Sequence, residues 1–199
     1  MKGSIFRHPS PLPVGVSSGY VMTVLGPLPI NEMGVTLMHE HILLDASKIE
    51  KYLDLYADKA PNHVARLVEL AKSGAYDGVV FHRVIDGFMA QTGDVEHANM
   101  ENNYNPGRAG TGGSDLPDLP AEFSRLPHDR GTLGAARSMN PNSANSQFFI
   151  CFDDARFLDG QYTVWGEVTE GMENVDALPK GEPPRNPGKI VSMKVAADA

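Results

Sequence analysis

The apolar residues of this chain come in short runs fenced by glycine, proline, asparagine or aspartate: VVF at 79–81, FMAQ at 88–91, LGAA at 133–136, FFICF at 148–152, YTVWGEV at 162–168 and IVSMKVA at 190–196. Runs of that length, rich in β-branched and aromatic residues and bounded by turn formers, read as strands. The 20 glycines and 15 prolines among 199 residues supply shaped turns without reaching a low-complexity composition. Asp86-Gly87, between two of the runs, predicts a hairpin. One segment has strong helical spacing: Val64, Leu67, Val68 and Ala71 share a face behind Pro61, and Lys72 and Gly74 suit its C-terminus. A shorter helix is expected at 171–178. Seven or eight strands and two helices point to a mainly β fold, an antiparallel barrel or sandwich with helical caps.

The N-terminal part reads differently. Residues 1–19, with prolines at 9, 11 and 13, form an irregular arm; YVMTVL and VTLMHEHILLD are strand-like runs, and IEKYLDLY at 49–56 is a half-buried strand. The division expected is an atypical extension over 1–47, able to supply a first strand, and a compact domain over 48–199. The early prolines break any leader-like apolar region, and the single Cys151 has no internal disulfide partner, so a cytoplasmic protein is expected. With 25 acidic against 17 basic side chains and no basic patch, nucleic acid and membrane surfaces are not expected partners.

The chain has no phosphate-cradling glycine motif and no nucleophile elbow, and Cys151 lies inside an apolar strand. Two clusters stand out instead. In FHRVIDGFMAQTGD, residues 81–94, a hairpin brings Arg83, Phe88, Met89 and Gln91 together, a fixed cation and an amide beside an apolar surface; the alternative is a surface arginine among ordinary core aromatics. In NPNSANSQFFICF, residues 140–152, Phe148, Ile150 and Phe152 pack inward, while alternation turns Phe149 to the other face and toward solvent. Phe157 and Leu158 are further wall candidates, and Gln147 with the neighbouring small amides is a candidate for holding backbone or peptide groups. The glycine- and proline-rich stretch 102–126 is long enough to be a binding loop.

Residues from about 52 to 195 resemble the cyclophilin-type peptidyl-prolyl isomerases, particularly the compact bacterial forms, through LDLYADKAP, FHRVIDGFMAQTGD, GTLGAAR with NPNSANSQFFI, and FLDGQYTVWGEVTEGM in that order. The resemblance implies a closed eight-stranded antiparallel barrel capped by two helices, with a proline pocket on its outside. It implies cis-trans isomerisation of X-Pro bonds without a cofactor, acting on proline-containing peptides and unfolded proteins. Arg83 and Gln91 match the catalytic positions, Gln91 contacting substrate backbone; Phe88, Met89, Phe149 and Leu158 match the pocket walls; Arg137 and Ser138 match the segment that pairs with bound peptide; and His82 precedes the arginine as in the family. Phe157 stands where a tryptophan is common and Tyr162 where a histidine is common, which implies weak or no cyclosporin binding. A complete barrel needs no partner, so a monomer is expected.

Two other readings remain at this level. One is a proline-peptide binding or chaperone-like module without catalysis. The other rests on TVLGPLPINEMGVTLMHEH, residues 23–41, which resembles the start of phosphotriesterase-related metal hydrolases, with His39 and His41 on one strand face. Such a hydrolase needs a (β/α)₈ barrel of about 250 residues, so no metal site is expected here. Whether HILLD pairs as a first strand decides whether a sheet edge is left exposed.

Overall fold

The computed structural model describes residues 20–23, 26–29, 41–45, 52–102 and 104–195. In chain order its elements are β1 (Tyr20–Thr23), β2 (Gly26–Pro29), β3 (His41–Asp45), β4 (Tyr52–Leu55), α1 (Pro61–Lys72), β5 (Arg83–Ile85), β6 (Met89–Thr92), β7 (Thr132–Ala135), β8 (Phe148–Cys151), β9 (Val164–Val168), α2 (Met172–Asp176) and β10 (Ser192–Val195). Among the described residues β1 and β2 pair with each other, and the other eight strands form one sheet in the order β10-β3-β4-β9-β7-β8-β6-β5. Every pairing in it is antiparallel. The segments leading into its two end strands bond to each other: Gly78 N–H to the Ile190 carbonyl, Ile190 N–H to that of Val79, and Phe81 N–H to that of Gly188, each at 2.8 Å. Backbone groups that an open sheet would leave for water or another chain are therefore used within the molecule. The architecture is the expected mainly β fold of eight antiparallel strands with two helices. Residues 1–19, 30–40 and 46–51 lie outside the described set, and with them the expected irregular arm.

HILLD is β3, with Ile42 opposite Leu53 of β4 and Leu44 opposite Met193 of β10. The hairpin at Asp86-Gly87 is present but shifted: Ile85 is opposite Met89, so the loop holds three residues, Phe88 among them, with Gly87 at φ +66°. A three-residue connection closes with a left-handed residue that glycine adopts without strain. VVF at 79–81 is not the hairpin's first strand, its residues instead bridging to Asn99 and Lys189.

Inward side chains of the sheet, among them Leu53, Leu55, Leu133, Ile150 and Trp165, form the core with Phe148, on which Trp165 and Tyr76 pack edge-on at 5.4 and 5.8 Å between ring centres. Helix α1 closes this core with Val64, Leu67, Leu70 and Ala71. Ala60 gives α1 no side-chain cap; Glu122 of the long loop takes that place, accepting the N–H groups of Asn62 and His63 at 3.1 Å each. A carboxylate there satisfies orphan donors and meets the positive end of the helix dipole. Among the described residues no helix is long and apolar enough to cross a membrane.

Candidate active site

Strand register builds the site. Arg83 is opposite Gln91, Gln91 opposite Phe149, and Phe149 opposite Gly134. Opposed residues share a face, so one row crosses β5, β6, β8 and β7 on the outside of the sheet. The neighbouring row, Val84, Ala90, Ile150 and Leu133, belongs to the core.

The outer face carries a second, smaller apolar cluster. Met89, Phe149, Cys151 and Ala155 are buried in it, with Ile85, Phe88, Leu158 and Tyr162 packed around them. Phe149 is not the solvent-facing residue expected from alternation. It does leave the core face, yet it is only 5% exposed, because the Tyr162 ring meets it edge-on at 5.8 Å and the His128 ring stacks on it at 6.0 Å. Its own ring lies across Gly134, where a β-carbon would collide with it. Phe88 touches Phe157 at 5.4 Å between ring centres, and Phe157, on a 3₁₀ turn over Arg156–Leu158, is 65% exposed. The result is an apolar cup with a fixed floor and an open rim.

Polar groups border the cup. Arg83 donates from Nε to Glu182 at 3.0 Å, and its Nη1 lies 4.0 Å from the Met89 sulfur. Gln91 donates to the Gln147 side-chain oxygen at 2.9 Å, and Gln147 donates to the carbonyls of Gly110 and Gly112 at 3.0 and 2.7 Å. Beyond Gln91 opens a groove of about 510 Å³, bounded by Gly110–Ser114 on one side and Arg137 and Ser138 on the other. The Arg137 guanidinium sits 4.3 Å over the Tyr162 ring and donates to the Gln161 and Ser138 carbonyls. Ser138 is tied to Ser143 through their hydroxyls at 2.7 Å.

His82 is 4% exposed and lies behind the groove, its ring packed against Gly110. Burial holds its pKa below the ordinary value, so the imidazole is neutral at pH 7. Burial also pushes the Cys151 thiol up to about 12, which removes it as a nucleophile. What remains is a guanidinium and an amide fixed beside an apolar cup. That arrangement suits a reaction in which no covalent bond changes partners.

A family model described as cyclophilin type peptidyl-prolyl cis-trans isomerase/CLD matches residues 45–195. The chain is a cyclophilin. It is 58% identical over 151 residues to a probable peptidyl-prolyl cis-trans isomerase of Brucella suis, an alignment covering 73% of this chain and 77% of that one. A peptidyl-prolyl cis-trans isomerase of Synechococcus elongatus is 37% identical over 159 residues, covering 79% and 97%. Among solved structures, a cyclophilin from Hirschia baltica superposes with a TM-score of 0.69 at 28% identity, covering 80% of this chain and 74% of that one. A Cryptosporidium parvum cyclophilin type isomerase, solved in the presence of the dipeptide Ala-Pro, superposes with a TM-score of 0.66 at 25% identity, covering 78% and 98%. This cyclophilin therefore isomerises X-Pro peptide bonds. The metal-hydrolase resemblance over 23–41 finds no support, since the family match begins after it. His39 lies outside the described residues, and of His41 only the β3 backbone is described.

Three groups that shape the cyclophilin's site, His128, Asp94 and Glu182, were not singled out from the sequence. His128 is fully buried beneath Phe149, with Nδ1 2.9 Å from Asp159. Asp94, also fully buried, accepts the N–H groups of Glu96, His97, Gly110 and Gly112 at 2.7–3.1 Å and so ties the long loop to β6. Glu182 holds Arg83. An acceptor directly after a strand, as in TGD at 92–94, is the one local signal among them. Gln147, which the sequence offers as an amide for holding backbone, does so, linking Gln91 to the long loop through the Gly110 and Gly112 carbonyls.

Proposed function

We propose that Arg83 is the catalytic group of this isomerase, that the cup of Phe88, Met89, Phe149 and Leu158 holds the prolyl ring, and that Gln91 with the Arg137–Ser138 backbone fixes the residues before the proline. The observation that carries this reading is the outer-face row, in which Arg83 and Gln91 are direct neighbours and Met89 lies beside the Arg83 guanidinium.

Rotation about an X-Pro bond is opposed by amide resonance, a barrier of about 20 kcal/mol. In the planar ground state the prolyl nitrogen lone pair is delocalised and accepts poorly. In the twisted state it localises, and a donor already aimed at it gains a hydrogen bond that the ground state lacks. Only interactions stronger in the transition state speed the reaction, and a preorganised donor beside an apolar wall suits that purpose. His82, neutral and buried, supports Gly110 behind the groove rather than exchanging protons.

The substrates proposed are exposed prolines in peptides and in unfolded chains, met by a monomer in the cytoplasm. Phe157 has no indole N–H to donate, so cyclosporin is expected to bind weakly, which isothermal titration reads directly. Exchange spectroscopy on an Ala-Pro-Phe peptide tests the core of the reading without a coupling protease. Wild type accelerates cis-trans exchange; Arg83→Ala loses about 100-fold of that acceleration while still binding peptide. A dispersed spectrum with no acceleration by wild type would instead leave a binding module.

A further inference from the structure

The outer-face row ends at Arg83, because β5 is the last strand of the sheet. Just past it stands Glu182, whose carboxylate accepts the Arg83 Nε–H at 3.0 Å. The segment carrying Glu182 is not loose. Val84 N–H donates to the Gly181 carbonyl at 2.8 Å and Gly181 N–H returns to Val84 at 2.9 Å, a two-bond anchor immediately before Glu182. The nearby charges are arranged separately: Lys180 donates to the Asp176 carbonyl at 2.9 Å, lies 4.1 Å over the Phe152 ring, and comes within 4.0 Å of Asp86. Lys180 and Asp86 offset one another, and Glu182 is the carboxylate that meets Arg83.

Two consequences follow from this placement. A carboxylate on the Nε edge fixes the plane of the guanidinium and leaves the Nη groups to the substrate, which a flexible unsupported arginine does not achieve. The second concerns direction. With the residues before the proline in the groove beyond Gln91, a chain that leaves the cup past Arg83 carries the side chain after the proline toward Glu182. We propose that Glu182 is a positioning and specificity residue, which orients Arg83 and gives the exit of the site a negative charge that favours prolines followed by lysine or arginine over those followed by aspartate or glutamate. This rests on the reading of Arg83 as the catalytic group.

The test uses exchange spectroscopy on the full chain with three peptides, Ala-Pro-Lys, Ala-Pro-Phe and Ala-Pro-Asp, capped at both ends. At low ionic strength wild type turns over the lysine peptide with a kcat/KM about fivefold above that of the aspartate peptide, a half-exposed charge acting through water. Half-molar salt compresses that ratio toward one, with the Debye length cut to a few ångströms; this needs no variant. E182Q loses most of the ratio and E182K reverses it. On the uncharged phenylalanine peptide E182A lowers kcat about threefold with KM little changed, and E182Q, which keeps an acceptor for Nε–H, recovers most of that loss. The ion pair is exposed, so melting temperatures should stay close to wild type. A lysine-to-aspartate ratio that is the same in wild type, E182Q and E182K overturns the specificity assignment, and equal kcat in E182A and wild type overturns the positioning one. No turnover of any peptide by wild type would bring down the Arg83 reading with both.

Discussion

The apolar cup and the polar groove lie side by side on one sheet face, yet they are held by different forces. The cup is a packing object. Met89, Phe149 and Cys151 follow from strand alternation, and their partners Ile85, Phe88, Leu158 and Tyr162 close around them without a hydrogen bond being needed. The groove is a hydrogen-bonded object: its walls at 110–114 stay where Asp94, Gln147 and Asn145 put them, each bonding to loop backbone across a long stretch of chain. Packing fails gradually when atoms are removed, whereas a buried acceptor fails all at once, because several donors lose their partner together.

The largest effect is therefore expected in the groove. Asp94→Ala strands four backbone donors and should cost about 3 kcal/mol or more of stability, read from the midpoint and slope of urea unfolding; a loss under ~1 kcal/mol would mean that the loop holds itself. In the cup, Gly134→Val drives a branched side chain into the Phe149 ring. A wall displaced by about 1 Å should lower kcat/KM about 100-fold while far-UV circular dichroism stays unchanged; an unaltered rate would show that Phe149 is not a working wall. Gln147→Leu removes two bonds to the loop and one to Gln91. It should raise KM about tenfold with kcat nearly constant, a loss of binding rather than of rate.

The smallest effect is a pH dependence of stability. Burial lowers the pKa of both His63 and His82. The unfolded chain, with ordinary imidazoles near 6.5, then binds more protons than the folded one as pH falls below that value, so stability is full above about pH 7 and declines toward the folded pKa values. Glu122, whose pKa is held down by the His63 and Asn62 donors against an opposing burial effect, adds a further loss below about pH 4.5. Melting should come a few degrees lower at pH 5.5 than at pH 7.5. A melting temperature constant across that range would show that both histidines titrate alike in folded and unfolded states.

Much of the cup was legible in the sequence and little of the groove, for the same reason that their responses differ. Alternation over FFICF separates Phe149 from Phe148 and Ile150 with local information alone, and the turn chemistry of Asp86-Gly87 places Phe88 and Met89 beside Arg83. What alternation does not reveal is that Phe149 is covered, since His128 and Tyr162 reach it from other segments. Phe88, read as part of the run FMAQ, falls in the hairpin loop instead, because a two-residue and a three-residue connection share the same Asp-Gly signal. Glu122 capping α1 from 60 residues away, and Glu182 holding Arg83 from 99, leave no periodic trace, because a single carboxylate in a loop looks like any other until the topology brings it home. In NPNSANSQFFI the amides Gln147 and Asn145 are legible as groups that hold backbone, but only the topology shows that the backbone is that of the 110–114 loop.

The proposed site divides its labour, the cup binding the proline and Arg83 lowering the barrier to rotation. That division is tested most directly by measuring Kd and exchange rate together, by NMR on one Ala-Pro-Phe peptide, for wild type, Arg83→Ala and Phe149→Ala. The account predicts that Arg83→Ala keeps peptide affinity within about threefold and loses about 100-fold in rate at saturation, while Phe149→Ala loses mainly affinity. If Arg83→Ala weakens binding as much as it slows exchange, the arginine acts on the ground state and the account is wrong.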